Sequence, residues 1–207
     1  MEFTLGLIVI ASITCVTAML PGPDMALVLK NSLLHSKREG VLTALGIVSG
    51  NIVYVSLTLA GLGVVITQSV MLFSIIKFLG AAYLIYLGLK LLISKSGTQN
   101  QEKKLAPRSH STPYKEGLLT NLGNPKFLLF LFGIFTQVID PGTTFIQQLM
   151  FGLTIPVAAF LSFLTITQIA GAHTTKQIFS SWLGHIEKAI GAALVVLGAK
   201  VVLDTGK

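Results

Sequence analysis

Six long apolar stretches, separated by short polar ones, organise the chain: roughly 3–29, 41–66, 70–93, 118–139, 145–172 and 183–203. Each supplies the roughly 20 mostly apolar residues that a helix needs to cross a hydrocarbon core of about 30 Å. The 37 residues from Gly40 to Ile76 carry no charge and are too long for one span. Gly61-Leu62-Gly63, followed by Thr67-Gln68-Ser69, predicts the break between the second and third helices. A third helix starting at residue 70 holds Lys77 well inside it, and a later start would leave the helix too short to cross. The 35 residues from Pro141 to Thr175 contain no Asp, Glu, Lys or Arg and hold the fifth helix, with a kink expected at Pro156. Ser94–Gly117 is rich in Ser, Thr, Gln, Asn, Lys and Pro and reads as a polar linker between a first unit, 1–93, and a second, 118–207. The expected fold is an all-α integral membrane protein, one domain of six transmembrane helices.

The two units share a pattern. Lys77-Phe-Leu-Gly80-Ala81-Ala82 running to Gly88-Leu-Lys90 matches Lys188-Ala-Ile-Gly191-Ala192-Ala193 running to Gly198-Ala-Lys200, with one residue deleted. Leu20-Pro-Gly-Pro23-Asp24 pairs more faintly with Leu122-Gly-Asn-Pro125-Lys126. A duplicated unit with three spans reverses its direction in the membrane, so the expectation is two inverted three-helix repeats, a plan common among secondary transporters.

Composition narrows the class. Of 207 residues, 15 are Lys or Arg, 8 are Asp or Glu and 52% are hydrophobic, with a mean hydropathy of +0.78. A water-soluble domain carries about 25% charged residues, and this chain has 11%. Nucleic acid is set aside as a partner, because the net charge of +7 sits largely in loops. Lys30, Lys37 and Arg38 follow the first helix; Lys95, Lys103, Lys104, Arg108 and Lys115 fill the linker; Lys176 and Lys188 follow the fifth. The turn near Gln68 has no base, the turn at Asp140-Pro141-Gly142 is acidic, and the N-terminus opens with Glu2. The positive-inside rule then puts the three basic connections in the cytoplasm and both termini outside. The first stretch lacks a basic lead and a small-residue cleavage site, and reads as a retained span. A single cysteine, Cys15, excludes dithiol redox chemistry within the chain.

Candidate chemistry lies where helices must break. Pro21, Gly22 and Pro23 cannot continue an α-helix cleanly, and lipid offers no partner for the carbonyls they free. Asp24 follows at the start of new helix, where it either caps that helix near the cytoplasmic surface or faces a central cavity to bind an ammonium group or a proton. Asn121-Leu-Gly-Asn124-Pro125-Lys126 breaks the fourth helix in the same way. Lys126 either snorkels to the surface or meets a substrate carboxylate across the cavity from Asp24. Two such breaks would suit a zwitterionic amino acid. Asn51, after the close-packing spacing Gly46-x-x-x-Gly50, either bonds a neighbouring helix or reaches the cavity; that glycine face serves a helix of this chain or of a second copy, leaving homo-oligomerisation open. Tyr54, one turn on, is open to lining the same face, with aromatic packing favoured; Lys77 fits snorkelling, and Gln168 a polar position deep in the fifth helix. His35, His110, His173 and His185 fall in or beside loops and form no metal-ligand spacing. With no phosphate loop, no nucleophile–base pair and no cofactor motif, the chain reads as a non-enzyme needing no cofactor.

These motifs, in order, resemble the LysE/RhtB family of bacterial amino-acid exporters, along nearly the whole chain. The matching residues are Pro21-Gly22-Pro23-Asp24, Gly46…Gly50-Asn51, the segment Lys77-Phe-Leu-Gly-Ala-Ala-Tyr-Leu-Ile-Tyr-Leu-Gly, and Asn121-Leu-Gly-Asn124-Pro125-Lys126. The third segment looks more like the homoserine/threonine branch than the lysine branch. The resemblance implies proton-driven export of small amino acids through the inner membrane, with substrate, protons and the lipid bilayer as partners. Its PGPD motif falls on Pro21, Gly22, Pro23 and Asp24 and its NPK motif on Asn124, Pro125 and Lys126; with Asn51 and Asn121 from the residues themselves, the expected substrate or proton site is Asp24, Lys126, Asn51, Asn121 and Asn124. A passive amino-acid channel or facilitator, and a membrane assembly protein that moves no solute, are the alternatives.

Overall fold

The computed structural model describes residues 3–20, 22–68, 70–93, 112–139 and 142–170, and in the C-terminal stretch 188–189, 191–192, 194–199 and 203. The side chains of 62–68, 70, 72, 73, 91, 125 and 126 lie outside that description. Every element among the described residues is helical: α1 Phe3–Met19, α2 Pro23–Leu34, α3 Lys37–Gln68, α4 Val70–Ile93, α5 Pro113–Leu122, α6 Pro125–Val138 and α7 Phe145–Ile169. The described residues of 188–199 are helical too.

The first and fourth expected helices are each two helices. α1 meets α2 at 59° across Leu20–Gly22, and α5 meets α6 at 61° across Gly123–Asn124. In both, proline is the first residue of the new helix, where its missing N–H costs nothing and its fixed φ suits the first turn. Pro113 starts α5 the same way, behind Thr112 in extended conformation. That helix therefore begins inside the stretch expected as linker, five residues before 118. By contrast α3 stays helical through Gly61, Gly63 and on to Gln68. Glycine lowers helix propensity without forbidding the helix, so α3 runs past Gly61–Gly63 and ends at Gln68, before α4 starts at Val70, at the Thr67-Gln68-Ser69 end of the expected turn. α7 likewise runs unbroken through Pro156. Asp140 and Pro141, the expected acidic turn, lie outside the described residues.

Lys37–Gly61 and Phe145–Ile169 are each long and apolar enough to cross a membrane, and each bent pair makes one more candidate, giving up to four among the described residues. On α7 the apolar residues divide by face. Phe151, Ile155, Ala158, Ala159, Phe163 and Ile166 are buried, while Ile146, Leu149, Leu153, Val157 and Leu161 are exposed at three- and four-residue spacing. In water so long an apolar stripe would drive association; beside acyl chains it is a solvated surface.

Two apolar layers hold the helices together. One joins Ile10 and Ile13 of α1, Val55 of α3, Leu84 and Leu87 of α4, Phe130 to Ile139 around α6, Phe151 and Ile155 of α7, and Leu194. The other joins Met25 and Val28 of α2, Ala44 and Ile47 of α3, and Ala159, Phe163 and Ile166 of α7. α3 and α7 thus serve both layers, one along each half of their length.

Glycines set the closest approaches. A Cβ on Gly46 would fall 2.0 Å from the Tyr114 carbonyl, and one on Gly117 would fall 2.2 Å from that of Thr43, so α3 and α5 touch backbone to backbone. The Gly46-x-x-x-Gly50 face therefore serves a helix of the same chain. In the C-terminal stretch, a Cβ on Gly88 would lie 2.5 Å from the Gly191 carbonyl and one on Gly198 would lie 2.7 Å from that of Ala81. Gly46→Val or Gly117→Val should destabilise the protein by about 1–3 kcal/mol or more, the cost of overpacking a tight interface. Gly61→Ala, whose Cβ meets nothing within 4 Å, should leave stability unchanged or raise it by up to about 1 kcal/mol. Thermal unfolding in detergent micelles separates the two cases; equal melting temperatures for Gly46→Val and the wild type would refute the contact.

Candidate functional site

The two helix breaks meet. Asn121 Nδ2 donates to Asp24 Oδ2 at 2.9 Å, and Asn124 Nδ2 donates to the same oxygen at 3.4 Å. Asp24 stands at the first turn of α2, behind the N-cap Gly22 in extended conformation (φ −170°, ψ 176°). Its carboxylate is half-buried, at the N-terminal end of α2. Asn121 is fully buried and Asn124 nearly so. Through Asp24 the start of α2 is tied to the other broken pair.

The backbone at the second break is paired locally. The Gly123 amide donates to Leu119 O at 2.9 Å and the Asn124 amide to Asn121 O at 2.9 Å. The Leu122 carbonyl, which the break deprives of its helical donor, accepts from the Tyr54 hydroxyl of α3. Tyr54 also stacks at a tilt on Phe127, with ring centroids 6.1 Å apart. From sequence Tyr54, one turn beyond Asn51, was open to lining the same face, with aromatic packing favoured; the structure shows the ring contact and a hydrogen bond to the backbone of α5 as well.

A small cavity, about 40 Å³, adjoins Asp24. At roughly 10–15 Å³ per water it holds only a few waters. Thr14, Thr17, Ala18 and Leu20 of the first pair line it, with Gly22, Pro23, Asp24 and Met25 at the start of α2. Asn51, Asn124, Phe127, Phe130, Ala159 and Phe163 close the remaining sides. It lies between the two apolar layers, since Leu20 and Phe130 belong to one and Met25, Ala159 and Phe163 to the other. Asn51 comes 14 residues after the start and 10 before the end of Lys37–Gly61, the bilayer-length part of α3. Ala159 comes 14 after the start of α7 and 10 before its end. At 1.5 Å per residue both stand near mid-height of helices that match a bilayer in length.

The expected site residues divide accordingly. Asp24, Asn51, Asn124, Gly22 and Pro23 line the cavity, and Asn121 supports Asp24 from behind. Pro125 opens α6, but its side chain and that of Lys126 lie outside the described residues, as does Pro21. Gln168 is not deep in the membrane part of α7: it is exposed, and its carbonyl and Oε1 accept from Lys37 Nζ at 3.2 and 3.3 Å, tying the end of α7 to the start of α3. Sequence also missed Thr14, Thr17 and the three phenylalanines, which look like ordinary members of apolar runs until the breaks are brought together. A further polar knot joins α2, α3 and α5, where Asn31 Nδ2 donates to Thr43 Oγ1 at 2.7 Å and to Glu116 Oε2 at 3.3 Å. No group of three metal-ligating side chains occurs among the described residues.

Residues 15–205 match the LysE type translocator family. The chain belongs to that family. Among its relatives, an uncharacterized membrane protein of Bacillus subtilis (strain 168), YrhP, is 35% identical over 93% of this chain and 96% of its own length. Leucine efflux proteins of Enterobacter sp. (strain 638) and Klebsiella pneumoniae (strain ATCC 700721 / MGH 78578) are 33% and 32% identical, each over 77% of this chain and 76% of their own lengths. No solved structure gives a significant match. In this translocator the two bent pairs and the cavity between them are the candidate translocation site.

Tyr54→Phe keeps the ring against Phe127 and removes the donor to the Leu122 carbonyl. It should lower stability by about 1–3 kcal/mol, the cost of stranding a buried acceptor, with membrane insertion intact. Thermal unfolding of the full chain in detergent reads this, and an unchanged melting temperature would show that the hydroxyl is not needed at the break.

Proposed function

We propose that this LysE-family protein exports small amino acids or their derivatives, of the homoserine, threonine or leucine kind, from the bacterial cytoplasm. It does so across the inner membrane by proton antiport with alternating access. The observation that carries the reading is Asp24: a carboxylate at the crossing of two broken helices, near mid-height, bordering a cavity between two apolar layers. Ionisable groups at such depth are costly unless they serve transport. The family and the relatives named leucine efflux proteins supply the substrate class.

The proposed architecture is six spans in two inverted three-helix repeats, with the basic connections in the cytoplasm and both termini outside. The repeat is supported by how its two copies touch. Gly88, the second glycine of the first copy, packs on Gly191, the first of the second copy; Gly198, the second glycine there, packs on Ala81 beside the first. Reciprocal contact of this kind is what a local two-fold axis between antiparallel helices produces. The same relation pairs α1 on α7 with α5 on α3, both of which pack closely.

In the proposed cycle Asp24 takes the substrate ammonium from the cytoplasmic side and, after release, a proton from the outer side. Asn121 and Asn124 hold its carboxylate, Asn51 lines the opposite wall, and Lys126, next after Pro125, meets the substrate carboxylate. The cavity is too small for an amino acid, so loading needs the layers to part.

Cells preloaded with amino acid through dipeptides provide the test. Asp24→Asn should abolish gradient-driven efflux, at least about a hundredfold in rate, while the protein stays in the membrane. Collapse of the proton gradient should stop efflux by the wild type. Efflux that continues after collapse identifies a facilitator, and unchanged efflux by Asp24→Asn removes Asp24 from the mechanism.

A further inference from the structure

Buried and exposed hydroxyls on these helices turn back onto their own backbone. Thr43, Ser49, Thr136, Thr154, Ser162 and Thr165 each donate to the carbonyl four residues earlier, at 2.8–2.9 Å. That is the default for serine and threonine in an apolar helix, because the partner is always within reach. Four buried hydroxyls depart from it among the described residues, those of Ser32 and Thr58 away from the cavity and those of Thr14 and Thr17 of α1 beside it. The Oγ1 atoms of Thr14 and Thr17 are buried and have no hydrogen-bond partner among the described residues, although both side chains line the cavity. Three residues apart, they share one face of α1. Asn51 Oδ1, on the cavity wall supplied by α3, is likewise buried without a partner among the described residues. Thr14 and Asn51 are each only 2% exposed. Buried polar atoms are nearly always paired in folded proteins, so three that stand unpaired around one cavity mark a place where a ligand supplies the partners.

Resting on the export reading above, we propose that Thr14, Thr17 and Asn51 complete, with Asp24, the seat of a primary α-ammonium group, so that the transporter selects primary α-amino acids over N-alkylated ones. A primary ammonium carries three N–H donors. Asp24 takes one, Asn51 Oδ1, an acceptor only, takes a second, and a threonine oxygen takes the third. A hydroxyl that accepts in this way keeps its own proton to give, and the α-carboxylate on the same substrate carbon is the acceptor within reach. The α1–α3 wall thereby reads the part common to all amino acids. The side chain falls against Met25, Phe127, Phe130 and Phe163, an apolar surface that discriminates weakly among aliphatic groups. An N-methyl group removes one donor and sets a methyl against a buried acceptor, the kind of mismatch that a hydrogen-bonding site rejects strongly.

The purified full-length protein in proteoliposomes tests this by counterflow with L-leucine, L-homoserine and L-threonine as probes, and with the N-methyl derivative of whichever exchanges fastest. The wild type should exchange the N-methyl compound about tenfold more slowly or worse, the ratio that loss of one charge-assisted hydrogen bond produces. The double variant T14V/T17V should lose about tenfold in kcat/KM for the primary amino acid and show a smaller preference for it. T14S and T17S, which keep the hydroxyls, should retain the preference, and T165V, whose hydroxyl lies on an exposed face of α7, should match the wild type. Equal exchange of the primary and N-methyl compounds by the wild type overturns the proposal, whatever the variants do. A T14V/T17V protein with unchanged rates and preference overturns it too, because the hydroxyls would then hold only water. Absence of counterflow with all three primary amino acids overturns the export reading and this seat together.

Discussion

A helix that breaks inside a membrane strands backbone groups where no water can pair with them, and this constraint governs the centre of the molecule. Among the described residues two breaks occur, one at Leu20–Gly22 and one at Gly123–Asn124. The structure resolves both by bringing them together. Amides from the second break hold the carboxylate that starts the helix after the first, and a tyrosine from α3 takes the carbonyl left open between α5 and α6. Each break thus depends on side chains from elsewhere in the fold. Neither unit could bury its own break alone, which is a physical reason for the two halves to be intimately packed rather than merely adjacent.

That packing in turn depends on glycine. α3 and α5 approach until the carbonyls of Thr43 and Tyr114 occupy the space where side chains of Gly117 and Gly46 would stand. Gly50 lies against Asn121 Oδ1, with 2.5 Å between that oxygen and the position of a Cβ. Asn121 is therefore pressed into place from behind by a residue with no side chain, and its amide is left pointing at Asp24. The small-residue pattern that reads in sequence as a contact surface is, more specifically, what aims the amide.

Much of this was legible in the residues, and the exceptions have physical causes. The apolar stretches located α4 and α7 within a few residues, because long runs without charge have few alternatives. The prolines located both breaks, because proline removes a donor and blocks a carbonyl wherever it sits inside a helix. Glycine misled at Gly61–Gly63: it permits a turn without requiring one, and α3 continues through it. Pro113 was read as linker because its neighbours are polar, although proline opens helices as readily as it ends them. Gln168 looked deep by position along an uncharged run, yet Lys37 from another helix reaches it at the end of α7. Asp24, Asn121 and Asn124 were legible as charge and amides beside the two breaks. Thr14 and Thr17 were not, because nothing local tells a threonine that bonds its own helix from one that does not.

The division of the core into two layers bears on how such a site could open. The layer built from Met25, Val28, Ala44, Ile47, Ala159, Phe163 and Ile166 is the smaller, and α2 is its shortest contributor: a 12-residue helix joined to α1 across a bend and to α3 through a short turn at His35–Ser36. The larger layer runs through α1, α3, α4, α6, α7 and Leu194 and ties five helices and the C-terminal stretch together. In the proposed orientation the smaller layer faces the cytoplasm. Swinging α2 away would separate few apolar side chains, and it would break the contact of Asn31 with Thr43 and Glu116, polar groups that water can satisfy as it enters. It would also carry Asp24 out of reach of Asn121 and Asn124. In the proposed cycle the substrate ammonium, arriving from the cytoplasm, would then compete for the same carboxylate oxygen that holds the two broken pairs together, so that loading and closure would be alternative uses of one atom.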